Sequence, residues 1–220
     1  MKRIFLTTAL FSVMLLGGTI ISHAADTNAN STAKILLEAS ETENDPSVPI
    51  VNPDDNDGQT NDPTGNTGSL RIDYISNIDF GKQTIAATNK TYTAVKPNNK
   101  VLAQVTDLRG SGAGWILQVN YDGTNGFVDD TKILKGAVLS LPAGEAATTT
   151  DNVSSDQPAT TNALEVNNSA QTIMSATANT GLGVWGDKMD PAAVKLAVPA
   201  GNLAGNYTAT LVWTLSDAPA

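Results

Sequence analysis

A single histidine and no cysteine limit the chemistry open to this chain, and the histidine, His23, falls within the first 24 residues. Residues 25–220 therefore lack the imidazole and thiol that Ser-His-Asp and Cys-His nucleophile systems need. They equally lack the ligands of a histidine or thiolate zinc site. Carboxylate chemistry or a lysine base remains. Ser31-Thr32-Ala33-Lys34 has the Ser-x-x-Lys spacing of penicillin-interacting enzymes, but no Ser-Asp-Asn or Lys-Thr-Gly accompanies it. It also adjoins a linker-like stretch that offers no frame for an oxyanion hole. An aspartic protease is unsupported, because neither Asp-Thr-Gly nor Asp-Ser-Gly occurs. A glycosidase needs only two carboxylates at the right separation. The chain has 22 acidic residues, yet no acidic pair stands out within an apolar strand, where burial would raise a pKa. Asp55-Asn56-Asp57-Gly58 imitates the middle of a calcium loop, but Pro53 takes its first position and Thr64 its last. No catalytic residue, metal site or cofactor is expected, and the chain is read as a non-enzyme.

The tryptophans remain as candidates for contact. Trp115 and Leu117 are two residues apart, as are Trp213 and Leu215, so on a strand each pair shares a face. An exposed indole stacks on sugar rings and offers one N–H donor. The alternative is that both pairs are core residues of facing strands, which their Leu, Ala and Val neighbours favour. Trp185, within Gly181-Leu182-Gly183-Val184-Trp185-Gly186, is expected to be the more exposed and is an equal candidate.

Strands must position these residues. Leu70-Arg71-Ile72-Asp73-Tyr74 alternates until a break near Phe80-Gly81, and Val101, Ala103 and Val105 alternate. Trp115, Leu117 and Val119 alternate into Tyr121-Asp122-Gly123-Thr124, which reads as a hairpin turn. Ala137, Leu139 and Leu141 stop at Pro142-Ala143-Gly144, and Leu196 and Val198 stop at Pro199-Ala200-Gly201, both suited to type I turns. The last strand puts Tyr207, Ala209, Leu211, Trp213 and Leu215 on an apolar face. Short strands with turn signals between them predict an all-β sandwich or barrel-like domain over 70–220. Residues 148–161 are polar and read as a long exposed loop.

Ahead of that domain stand two other segments. Lys2 and Arg3, an uncharged apolar run to Ile21 and the small residues of Ser22-His23-Ala24 form the three-part pattern of a signal peptide over 1–24. Secretion is expected, with no membrane span after processing. Residue 25 is alanine, so no lipidated cysteine follows, and no C-terminal wall-sorting signal is visible, so retention must be non-covalent. Residues 25–69 read as an N-terminal segment and linker. From Glu38 to Asp62 the linker has eight acidic residues and no basic one, with Pro46, Pro49 and Pro53, and is expected to be extended and self-repelling. Just before it, Ala33, Ile35 and Leu37 suggest a short strand docking on the domain. Loss of Lys2 and Arg3 with the leader leaves 11 basic against 22 acidic residues. Nucleic acid is therefore not an expected partner, and an anionic wall would repel the chain at long range, so attachment must use close contacts.

Asn66-Thr67-Gly68-Ser69-Leu70-Arg71-Ile72-Asp73-Tyr74 through Asp79-Phe80-Gly81, both Trp-x-Leu tripeptides and the closing Val198-Pro199-Ala200-Gly201 and Tyr207–Pro219 stretches resemble the WxL-domain proteins of low-GC Gram-positive bacteria. The resemblance covers the chain after its leader. It implies non-covalent binding to the cell wall through peptidoglycan or another wall glycan. It also implies neighbouring surface proteins of the same gene cluster as partners, and host-matrix adhesion in relatives. The alternative is a subunit of a surface complex, or an adhesin, recruited by a partner protein through an exposed strand edge.

Overall fold

The computed structural model describes residues 31–40, 63–95, 100–156 and 158–217. The leader, the Asp55–Gly58 loop and most of the acidic linker lie outside the described residues. The chain divides into two compact units, 1–36 and 37–220. In the first, residues 31–36 form no regular element, and in the second residues 37–40 form none either. The short strand expected from Ala33, Ile35 and Leu37 is therefore not formed, and Ile35 and Leu37 are each 83% exposed. Ser31 and Lys34 are likewise exposed.

The second unit is all β among its described residues. Its strands are β1 (Leu70–Ile75), β2 (Lys90–Thr93), β3 (Val101–Asp107), β4 (Trp115–Tyr121), β5 (Val128–Asp129), β6 (Lys132–Ile133) and β7 (Val138–Leu141). There follow β8 (Glu145–Thr148), β9 (Thr160–Thr161), β10 (Leu164–Glu165), β11 (Gln171–Ala176), β12 (Gly183–Met189), β13 (Lys195–Val198) and β14 (Leu211–Ser216). Three four-stranded sheets run in the orders β1-β3-β12-β8, β10-β7-β13-β2 and β14-β4-β11-β9, and β5 pairs with β6. Every pairing is antiparallel.

One core joins the three large sheets. Ala103 and Val105 of β3, Trp115, Leu117 and Val119 of β4, Leu139 and Leu141 of β7, Ile173 and Met174 of β11 and Trp185 of β12 belong to it. The period of two along β4 survives as strict alternation of buried and half-buried residues. In β3 it does not: all seven residues are buried, because both faces of that central strand are covered. Arg71, Asp73, Gln104 and Thr106 fill the second face as a polar cluster. The Arg71 Nε donates to Asp73 Oδ1 at 2.8 Å, and Thr106 Oγ1 donates to Asp73 Oδ2. Buried charge costs much unless it is paired and hydrogen-bonded, and Asp73, at the register shift of β1, has both.

Two expected turns differ. Beyond Tyr121 the chain does not fold back on β4 as a hairpin, because β4 has β11 and β14 as its neighbours. The chain instead bends through Asp122–Phe127, where Tyr121 and Phe127 meet edge to face at 6.2 Å. The polar stretch 148–161 is less free than its composition suggests. Asn152 Nδ2 donates to Leu182 O at 2.9 Å, and Ala159 is buried.

Candidate functional site

Both Trp-x-Leu tripeptides lie in one sheet, on adjacent strands, not on facing ones. Leu215 stands opposite Leu117, and Trp213 opposite Val119. Trp115 is four residues along β4 from Val119, roughly 13 Å at the strand rise, so the two indoles do not meet.

Their surroundings differ. β4 is flanked on both sides, and Trp115 and Leu117 are 0% exposed. The indole N–H of Trp115 donates to Gly181 O at 3.1 Å, and that of Trp185 to Leu182 O at 2.8 Å. Gly181 has φ +65°, and a Cβ there would lie 2.4 Å from the Ala176 Cβ. The glycines around Leu182 thus exist to bring two carbonyls onto two buried indoles. Trp185, expected to be exposed because of those glycines, is 1% exposed. Its place on the core face of β12, between the flanking strands β3 and β8, seals it.

β14 is an edge strand. Leu211, Trp213 and Leu215 are only partly buried, while Val212 and Thr214 are exposed. Trp213 is the one tryptophan that reaches an open surface. It lies on a groove of about 1170 Å³. The walls are the extended segment 75–88, the turn and loop 198–210 and the start of β14, with Phe127, Leu139 and Leu196 also contributing. Among all its lining residues Asp79 alone is charged. Its lining includes the aromatic residues Phe80, Tyr92, Tyr207 and Trp213 and amides such as Asn77 and Asn206. The groove is held in shape by its own polar groups. Tyr207 Oη donates to Leu203 O at 3.0 Å, and Gln83 Nε2 donates to Phe80 O at 2.7 Å. Asn202 donates to Pro199 O and Lys135 O and accepts from the Lys135 N–H. The periodicity of isolated strands could not reveal this groove, since much of its wall belongs to no strand.

One acid escaped the sequence reading. Asp187 lies on the core face of β12 between Trp185 and Met189 and is 0% exposed. Neither carboxylate oxygen has a hydrogen bond of good geometry among the described residues; the Gly144 backbone is its polar neighbour. Burial pushes its pKa up to about 7, offset only in part by the Gly144 amide. The alternation Trp185-x-Asp187-x-Met189 was the available signal. No group of acidic residues among the described ones is placed to hold a metal ion. No helix among them is long and apolar enough to cross a membrane.

These features define an all-β domain with a sealed core and an open, almost uncharged aromatic groove. The chain belongs to the WxL family: the model of that family, described as a surface cell wall-binding domain, matches residues 24–219. No curated protein and no solved structure matches the chain.

Proposed function

We propose that the mature chain is a secreted, non-catalytic module that attaches without a covalent bond to the wall of a Gram-positive cell, and that peptidoglycan occupies the groove at Trp213. The family description supports a wall partner. The observation that carries the site is the groove itself: aromatic faces and amides with one charged residue. Such a surface suits sugar rings, which present flat apolar faces and neutral hydroxyl and amide groups. A mature chain with 11 basic against 22 acidic residues gains nothing from long-range attraction to an anionic wall.

The test is co-sedimentation of the 25–220 chain with washed walls. The folded protein should pellet with them, and moderate salt should not release it, because close apolar and hydrogen-bonded contacts are not screened. A folded protein that stays in the supernatant rejects the reading. Walls cleared in a turbidity assay would reject the non-catalytic part.

The place of β14 at the end of its sheet among the described strands favours a second reading, recruitment by a partner protein as a subunit of a surface complex. Binding to peptidoglycan stripped of protein separates the two.

A further inference from the structure

The mature chain has 11 basic against 22 acidic residues, so its long-range field draws cations and repels anions. The groove at Trp213 repeats that preference at close range. Among the described residues that line it, Asp79 is the one charged group, and no Lys or Arg contributes. Lys82, although flanked by the lining residues Gly81 and Gln83, is not part of the wall.

Asp79 is held in place although it is exposed and its segment has no regular structure. Its Oδ1 accepts the Gly81 N–H at 2.8 Å, and its backbone carbonyl accepts the Val95 N–H at 2.7 Å. Phe80, Tyr92, Phe127, Tyr207 and Trp213 supply aromatic rings to the same walls. A carboxylate in a groove of aromatic rings suits an ammonium ion. The acid accepts its N–H groups in charge-assisted bonds, and ring faces attract the cation through their quadrupoles. A neutral sugar uses the rings and amides but gains no charge pairing from the carboxylate, and an anionic group is repelled by it.

On the reading that a wall polymer occupies the groove, we propose that the feature selected there is a primary ammonium group, its N–H donors on Asp79 and its carbon skeleton against the aromatic walls. A wall polymer bears such a group on a sugar whose amine is unacetylated or on a diamino acid of its peptide. An acidic chain then clings to an anionic wall by taking the cations set among the wall's acids. One ion pair at contact distance lies well inside the screening length of about 8 Å at physiological salt, so attachment that moderate salt does not reverse is consistent with it.

Co-sedimentation of the 25–220 chain is compared on washed walls and on the same walls N-acetylated with acetic anhydride. Acetylation should weaken binding at least about tenfold, the scale of a lost hydrogen bond to a charged group. Asp79→Asn keeps an acceptor for the Gly81 N–H at an exposed position, so its thermal unfolding should match the native chain's. It should bind untreated walls as weakly as the native chain binds acetylated ones, and acetylation should weaken it no further. In solution, a glucosamine tetramer and a lysine-containing stem peptide, each beside its N-acetylated form, are titrated against the emission of Trp213, since Trp115 and Trp185 are buried. The amine form that binds more tightly names the source. Equal binding of amine and acetylated forms for both probes, undiminished binding to acetylated walls, or an Asp79→Asn chain that still distinguishes the two walls each overturns the proposal and leaves wall attachment standing. A folded chain that pellets with neither wall rejects the wall reading instead, and the soluble titration then decides the ammonium site by itself.

Discussion

The two Trp-x-Leu tripeptides share a spacing, a sheet and a face of it, on antiparallel strands, yet one is sealed and the other open. Trp115-Ile116-Leu117 lies on β4, with a strand on either side and the core beneath. Trp213-Thr214-Leu215 lies on β14, with a strand on one side and a groove on the other. Position in the sheet, not residue type, assigns their roles. A central strand commits its indole to packing, whereas an edge strand leaves part of the ring for something outside the chain.

The largest effect should come from the sealed member. Trp115→Ala removes a fully buried ring and its bond to Gly181 O. It should cost about 4 kcal/mol in urea-induced unfolding. Wall binding should fall only in proportion to the fraction unfolded. A stable Trp115→Ala protein that has lost wall binding would break the comparison, since the buried indole would then be acting on ligand.

The sealed half also holds a group that the open half tolerates freely. Asp79 sits in the exposed groove, whereas Asp187 is shut beneath Trp185 and Met189. Desolvation lifts Asp187 from an ordinary value of 3.8 to about 7. Below pH 3.8 the carboxyl is protonated folded or unfolded and costs nothing extra. Between pH 4 and 7 the unfolded chain releases the proton while the folded chain keeps it, so stability falls as pH rises. Above pH 7 both forms are ionised and the loss levels off. Asp187→Asn should remove this slope, a gain over the native chain on the order of 4 kcal/mol at pH 8 relative to pH 3.5. Chemical unfolding of both proteins across that range measures it. Parallel stability curves would mean that Asp187 is solvated after all.

Gly181 joins the sealed tryptophan to its acceptor, and the next largest effect is expected there. Alanine at a φ of +65° costs roughly 1–2 kcal/mol from backbone strain alone. Its Cβ would also crowd Ala176 at 2.4 Å. Gly181→Ala should therefore lower the unfolding midpoint and leave the groove's affinity for wall unchanged in the folded fraction. Gly201, with φ +86° and open space around it, is the control that carries strain without crowding.

The sequence reached as far as local pattern could carry it. β4 is legible because its two faces differ, and Leu139 and Leu141 because Pro142 ends their strand. Burial on both faces erased the contrast in β3 and concealed Asp73, whose ion pair with Arg71 on its own strand is completed by Gln104 and Thr106 only when β1 meets β3. Trp185 was misplaced for a related reason. Glycines usually advertise a loop, but here they let carbonyls approach indoles from across the fold. The adjacency of the two Trp-x-Leu strands was out of reach, since β4 and β14 are nearly a hundred residues apart. Which strand ends up at a sheet edge is decided by pairing, and no period of two records it. The groove was equally hidden, because segment 75–88 contributes shape without regular structure.

The open member should give the smallest loss of stability and the clearest loss of binding. Trp213 is partly buried and stands opposite Val119 on a strand paired on one side only. Its truncation leaves less void than that of Trp115, because the groove already admits solvent on one side. Trp213→Ala should cost about 1–2 kcal/mol, leaving the domain folded at room temperature. Its apparent affinity for washed walls should fall at least about tenfold, the equivalent of 1.4 kcal/mol. Trp213→Phe should recover part of that affinity, since a smaller aromatic face still stacks but lacks the N–H donor. The ratio of binding loss to stability loss is the decisive quantity. For Trp115 it should be close to nothing, and for Trp213 it should be large. Equal ratios would mean that an edge position confers no function, and the ligand would have to be sought on another face of the domain.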